Sequence, residues 1–148
     1  MTDDALNKMN RLIAEDHCRT LLLKAASLTD NGNASEFAEL FSLTATLRRP
    51  DGQTLSGRDA IVASYESRPL DRVTRHLVLG SIFTHVSSEK VSAITDAVVW
   101  IGSLADDVEV LGRPAGKQVV GRFKDDFVLT KAGWKIATRD ASFDFFIA

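Results

Sequence analysis

Two side chains in this sequence stand where a proton could be moved. His76 lies in Thr74-Arg75-His76-Leu77-Val78, early in a run whose alternation reads as a β-strand. On that alternation it shares a face with Val78 and Ile82. An imidazole turned toward an apolar interior is either a core residue bonded to a backbone carbonyl or a base compensated by a carboxylate. Asp30, in Leu28-Thr29-Asp30-Asn31-Gly32-Asn33, falls at the C-terminal end of a helical pattern, where the helix dipole disfavours negative charge. That placement suggests a task other than capping; the alternative is a turn aspartate bonding its own loop.

A second group lies further along the chain. Asp96 and Trp100 share strand parity with Ile94 and Val98, and an acid in so apolar a row is either paired or titrating. Arg122 and Arg139 are strand residues that could pair with it or hold an anionic substrate group. His85 reads as an edge residue and His17 as a surface one. The three histidines lack metal-ligand spacing, so no metal site is expected. Cys18 is the only cysteine, which excludes an intramolecular disulfide and any cysteine-rich metal centre. There is no GxxxxGK[ST], GxGxxG, HExxH or GxSxG motif.

The elements that must position these residues follow from a change of period. From Ala5 to about Leu28, Leu6, Met9, Leu12, Ile13, Leu21, Leu22 and Leu28 recur at helical steps. Asn31-Gly32-Asn33 ends that helix, and a second short one follows with Phe37, Ala38, Leu40 and Phe41 as its apolar face, capped by Ser35 or Asn33. Thr44 to Arg49 reads as a strand and Pro50-Asp51-Gly52 as a turn. A third helix opens at Ser56 or Gly57, carries Ile61 and Tyr65, and stops before Pro69. Beyond Asp71 the period becomes two, over Val73–Val86, Val91–Leu104, Lys117–Thr130 and Trp134–Phe146. Three helices followed by an antiparallel meander define an α+β fold, with the helices covering one face of a curved sheet.

The 148 residues suit a single domain spanning 1–148. A hydrophobic content of 45% and a charged content of 26% are those of a globular chain. With 18 Lys+Arg against 20 Asp+Glu there is no basic field for nucleic acid. Met1-Thr2-Asp3-Asp4 lacks the basic and apolar regions of a secretory signal, and no apolar run approaches the ~20 residues of a membrane span. A cytoplasmic protein is expected. Several strands are apolar on both faces, so the side away from the helices is expected to be covered by a second copy, giving a homodimer through the outer sheet face. The tail residues Phe143, Phe145 and Phe146 fit either that seam or a pocket lid.

Taken in order, several stretches resemble a known family. Leu28-Thr29-Asp30-Asn31-Gly32-Asn33 precedes Phe37-Ala38-Glu39-Leu40-Phe41, then Gly57-Arg58-Asp59-Ala60-Ile61, Thr74-Arg75-His76, Gly121-Arg122-Phe123 and Gly133-Trp134-Lys135-Ile136-Ala137. The set resembles the SnoaL-like branch of the nuclear transport factor 2-like superfamily, whose relatives include scytalone dehydratase, ketosteroid isomerase and the lindane dehydrochlorinase. The resemblance implies a cone of curved antiparallel sheet closed by three N-terminal helices around an apolar pocket. It implies that Asp30 contacts His76 in that pocket, orienting it as general base for a cofactor-independent lyase or isomerase reaction on an apolar cyclic or aromatic metabolite. A non-catalytic binding or assembly shell of the same fold is the alternative. Asp96, Trp100, Arg122, Arg139, Tyr65 and Phe41 are the expected substrate contacts. The family's tyrosine before the acid falls on Ala25, its asparagine after the histidine on Gly80, and the dehydrochlorinase's arginine on Leu129.

Overall fold

The computed structural model describes residues 1–148. Helix α1 (Asp3–Asp30) starts where the Thr2 hydroxyl accepts from the Ala5 amide at 3.2 Å, with Asp3 and Asp4 at the positive end of the helix dipole. Its buried stripe differs from the one expected. Ala14, Cys18, Leu22 and Ala25 are buried, whereas Leu6, Met9, Leu12 and Ile13 are each at least 46% exposed. Three of the four buried residues are small, which lets the helix backbone lie close to the sheet. Periodicity alone does not say which part of a long helix has a sheet beneath it.

Gly32, at φ 70°, turns the chain into α2 (Ala34–Glu39), capped by Asn33, whose side chain accepts from the Glu36 amide at 3.1 Å. Phe41 is not on this helix. It opens β1 (Phe41–Arg48), which therefore begins earlier than the apolar pattern suggests. After the Pro50–Gly52 turn comes β2 (Thr54–Ser56), too short for any alternation to show in the sequence. Gly57, at φ 87°, leads into α3 (Arg58–Glu66). Four long strands complete the chain: β3 (Arg72–Val86), β4 (Lys90–Ser103), β5 (Lys117–Thr130) and β6 (Gly133–Ile147).

The six strands form one sheet in the order β2-β1-β6-β5-β4-β3. The α+β class stands, but the sheet is mixed rather than antiparallel throughout, because β1 runs parallel to β6. The long strands pair antiparallel, β3–β4 and β5–β6 through short hairpins and β4–β5 through a longer loop. The β1–β6 pairing closes across most of the chain, so no turn residue announces its direction. The three helices cover one face. Phe37, Phe41, Leu47, Ile61, Phe127 and Ile136 are buried between helices and sheet.

A break in β3 corrects one expectation. The register shifts between Val78 and Gly80, and a bulge of this kind reverses which residues face inward. Thr74, His76 and Val78 turn toward the helices, but beyond the bulge Ile82 is 71% exposed on the outer face and Phe83 packs against the core instead. Strict alternation had put Ile82 beside His76. The outer face carries Leu77, Leu79, Ile82, Trp100 and Phe145 in the open. No helix is long and apolar enough to cross a membrane.

Candidate active site

The last residue of α1 meets the start of β3. Asp30 accepts three hydrogen bonds there: from the Thr74 hydroxyl to Oδ1 at 2.9 Å, from the His76 amide to Oδ2 at 2.8 Å, and from His76 Nδ1 to Oδ1 at 2.6 Å. The Asp30 side chain is 9% exposed and that of His76 15%. Burial pushes the Asp30 carboxyl up, but the side-chain and backbone bonds from His76, its charge, and the Thr74 hydroxyl outweigh this and hold it below the ordinary carboxylate value. An ionised Asp30 has no proton to give, so Nδ1 carries the hydrogen of the shared bond and a neutral ring leaves Nε2 with a free lone pair.

This depressed value has a consequence for stability. Asp30 loses its proton more readily folded than unfolded, so its contribution is fully present above the unfolded value of about 4 and is lost as pH falls through the folded one. Thermal melts from pH 7 to pH 2 should show Asp30→Asn losing less stability on acidification than the parent. Parallel curves would remove this group from the acid transition.

His76 lines a cavity of about 200 Å³ between helices and sheet. Leu22, Ala25, Phe37, Leu47, Val99 and Phe123 give it an apolar wall. A larger groove, about 500 Å³, crosses the sheet past Arg48, Lys124, Asp126 and Asp140, but it is polar, open and without a histidine. The smaller cavity is therefore the candidate site, because it joins the imidazole held by Asp30 to a largely apolar wall.

Arg139 reaches the cavity from β6. It is 6% exposed, and it donates from Nε and Nη2 to Asp125 Oδ1 and Oδ2 at 2.7 and 3.0 Å. Its guanidinium carbon lies 4.3 Å from the Phe123 ring centroid. Leu129 is 44% exposed and away from the cavity, whereas Arg139, on the following strand, lines it. Tyr65 lines the cavity too, its ring centroid 4.4 Å from that of Phe37.

The other expected contacts lie elsewhere. Phe41 is fully buried beneath the cavity against Phe37, at 5.2 Å between centroids. Asp96 and Trp100 are on the outer face, because Ala93, Thr95, Ala97 and Val99 take the inward parity of β4. Arg122 is beside them, its Nε donating to Asp96 Oδ1 at 2.8 Å. The apolar neighbours Ile94 and Val98 suggested an interior, but the outer face is itself apolar. His17 and His85 are exposed. Burial, with the Asp125 charge adding to it, pushes the Cys18 thiol up to about 12, which leaves it without nucleophilic thiolate near neutral pH. No group of three or more His, Cys, Asp and Glu side chains comes together as a metal site.

Several residues of the site were not anticipated. Thr74 binds the shared carboxylate, and its position two residues before His76 on the same strand face was the available signal. Arg49, Arg68 and Arg72 also line the cavity, where the sequence offered only scattered arginines flanking turns.

A sheet wrapped by three helices, with an acid-anchored imidazole in the cavity between them, defines a class of small enclosed α+β shells. The chain belongs to the SnoaL-like domain family, whose family model matches residues 10–140. Solved structures agree on the fold. A protein assigned as a scytalone dehydratase from Novosphingobium aromaticivorans matches at a TM-score of 0.81 and 16% identity, over 95% of this chain and 90% of that one. The type 2 hexachlorocyclohexane dehydrochlorinase LinA matches at 0.80 and 15%, over 95% and 91%. A nuclear transport factor 2-like protein of cystatin-like fold from N. aromaticivorans matches at 0.74 and 20%, over 97% and 90%. No functionally curated protein matches the sequence.

Proposed function

We propose that the protein is a small lyase or isomerase in which His76 is the general base and Asp30 its orienting acid, acting on a molecule with an apolar cyclic or aromatic body. The observation that carries this reading is the 2.6 Å contact between His76 Nδ1 and Asp30 Oδ1 at a cavity whose lining is more than half apolar. Nε2 takes a proton from carbon, and the electron pair left behind moves onto an adjacent carbonyl oxygen or expels a leaving group. The imidazolium so formed is stabilised by the carboxylate already bonded to it. The apolar wall excludes water and strengthens that pairing. Arg139 holds two nitrogens on Asp125 and keeps Nη1 without a protein acceptor, available to a developing negative charge. The names of two structural neighbours, a dehydratase and a dehydrochlorinase, belong to the same reaction class.

Hydrogen–deuterium exchange into cyclic ketones such as cyclohexanone and 2-tetralone, followed by proton NMR in D₂O, tests the base without knowledge of the natural substrate. The protein should accelerate exchange over buffer, and His76→Gln should not. Exchange that persists in His76→Gln overturns the reading. A protein that binds these ketones but never exchanges them is a binding shell.

The exposed apolar row on the outer face supports a homodimer as a second element of this proposal. Sedimentation equilibrium should give twice the chain mass, and a monomer at micromolar concentration would rule the dimer out.

A further inference from the structure

Four arginines line the small cavity: Arg49, Arg68, Arg72 and Arg139. Arg139 is balanced by Asp125. None of the other three takes part in an ion pair; all the carboxylates that do are paired elsewhere. Arg49 donates from Nη1 to the Ser64 hydroxyl at 2.7 Å. Arg68 has its Nε buried with no protein acceptor. Both lie against one ring, their guanidinium carbons 4.1 Å (Arg68) and 5.6 Å (Arg49) from the Tyr65 centroid.

The negative groups nearby do not balance them. Asp51 is the one carboxylate lining the cavity, and its Oδ1 accepts from the Gln53 amide at 2.9 Å. Asp30 is close enough to act on Arg68 but is committed to His76 and Thr74. Burial pulls the Arg68 guanidinium below its ordinary value, and the charges of Arg72 and Arg49 pull the same way, while Tyr65 and Asp30 oppose them. A group of like charges gathered beside an apolar enclosure is unfavourable alone and becomes favourable around a negative charge. Guanidinium forks match planar or tetrahedral oxyanions in two-point contacts.

We infer that the cavity takes an organic anion, an apolar ring or chain ending in a carboxylate or phosphate, whose charged end is held by Arg68 and Arg49 with Arg72 at the rim. As a statement about the substrate, this rests on the reading of His76 as the base. As a statement about binding, it stands on the arginines alone. Holding the charged end at Tyr65 leaves the apolar body to fill the wall of Leu47, Val99 and Phe123 beside His76.

Isothermal titration of the full chain at low ionic strength, with benzoate, phenyl phosphate and the neutral isostere benzamide, tests it. At least one anion should bind ten or more times more tightly than benzamide, and added salt should weaken it; which of the two binds identifies the oxyanion. Arg68→Gln with Arg49→Gln should abolish the preference. Since Arg68 packs on Tyr65, the exposed Arg72→Gln provides a second variant, expected to weaken the anion several-fold with an unchanged melt. Benzamide binding as tightly as both anions, or an anion preference untouched in folded Arg68→Gln and Arg72→Gln, overturns the inference. The exchange assay is read separately. An anion preference without exchange removes the base and leaves this site standing; exchange lost in His76→Gln without any anion preference does the reverse.

Discussion

Asp30→Asn should lower carbon-acid exchange about 10²–10⁴-fold while leaving the fold intact, the range a positioned general base contributes. The substitution preserves shape and removes a charge, so its effect comes through the ring it holds. Both Asp30 oxygens accept: Oδ1 from Thr74 and His76 Nδ1, Oδ2 from the His76 amide. Asparagine offers one acceptor and one donor. If its oxygen keeps the His76 amide, its nitrogen faces His76 Nδ1 as a donor. Nδ1 must then accept, and the proton moves to Nε2, the atom required to be bare. The base is lost through its tautomer with little change in position. His76→Gln should be at least as severe, and the two defects should not add, since they remove one device. Rates of 2-tetralone exchange at pH 7, with circular dichroism as a check of folding, decide the matter. An Asp30→Asn protein within twofold of the parent would mean that His76 does not work through this carboxylate.

How much of this was legible in the sequence depended on the range of the interaction. The turns at Asn31–Asn33 and Pro50–Gly52 are local, and the three helices lie where the residues indicated, whereas β1 starts at Phe41 instead of Thr44 and the three-residue β2 was not legible. The same holds for the four long strands, whose ends differ by a residue or so from the alternation. Alternation failed where one residue broke it. The bulge at Val78–Gly80 turned Ile82 outward and Phe83 inward, and no residue type there marks a bulge except Gly80 itself. Pairings closed across long stretches of chain left no trace either, and the parallel β1–β6 contact is the main case.

The candidate site divides along the same line. Asp30 and His76 could be joined because the family resemblance supplied the 46-residue separation that local patterning cannot bridge. Asp96 and Trp100 were misplaced because an apolar outer face is indistinguishable by composition from an apolar inner one. Parity states which residues face together; it does not state which face is covered. Arg49 follows β1, while Arg68 and Arg72 flank the α3–β3 connection, and only the folded chain brings them to one cavity.

The largest effect on stability should come from Asp125→Ala. The Asp125 side chain is 0% exposed, and its two oxygens take both Arg139 donors. Removing one partner of a buried pair strands the other charge, at about 3–5 kcal/mol. A guanidinium cannot escape by losing its proton near neutral pH, so the deficit should be similar at pH 7 and pH 5. The opposite change, Arg139→Met, should behave differently. Burial already pushes the Asp125 carboxyl up, and the neighbouring Asp126 charge adds to it, while Arg139 opposes both. Without Arg139 the carboxyl rises further and can be buried neutral. A raised carboxyl favours the protonated folded form, so the deficit of Arg139→Met is full above its folded value and shrinks as pH falls through it. Urea titrations of both variants at pH 7 and pH 5 should therefore diverge, with Arg139→Met regaining stability at the lower pH relative to the parent. Asp125→Leu with Arg139→Met, which strands nothing, should lie closer to the parent than Asp125→Ala does. An Asp125→Ala protein within about 1 kcal/mol of the parent would place the pair with weakly coupled surface pairs, and Arg139 would then be free to turn wholly toward the cavity.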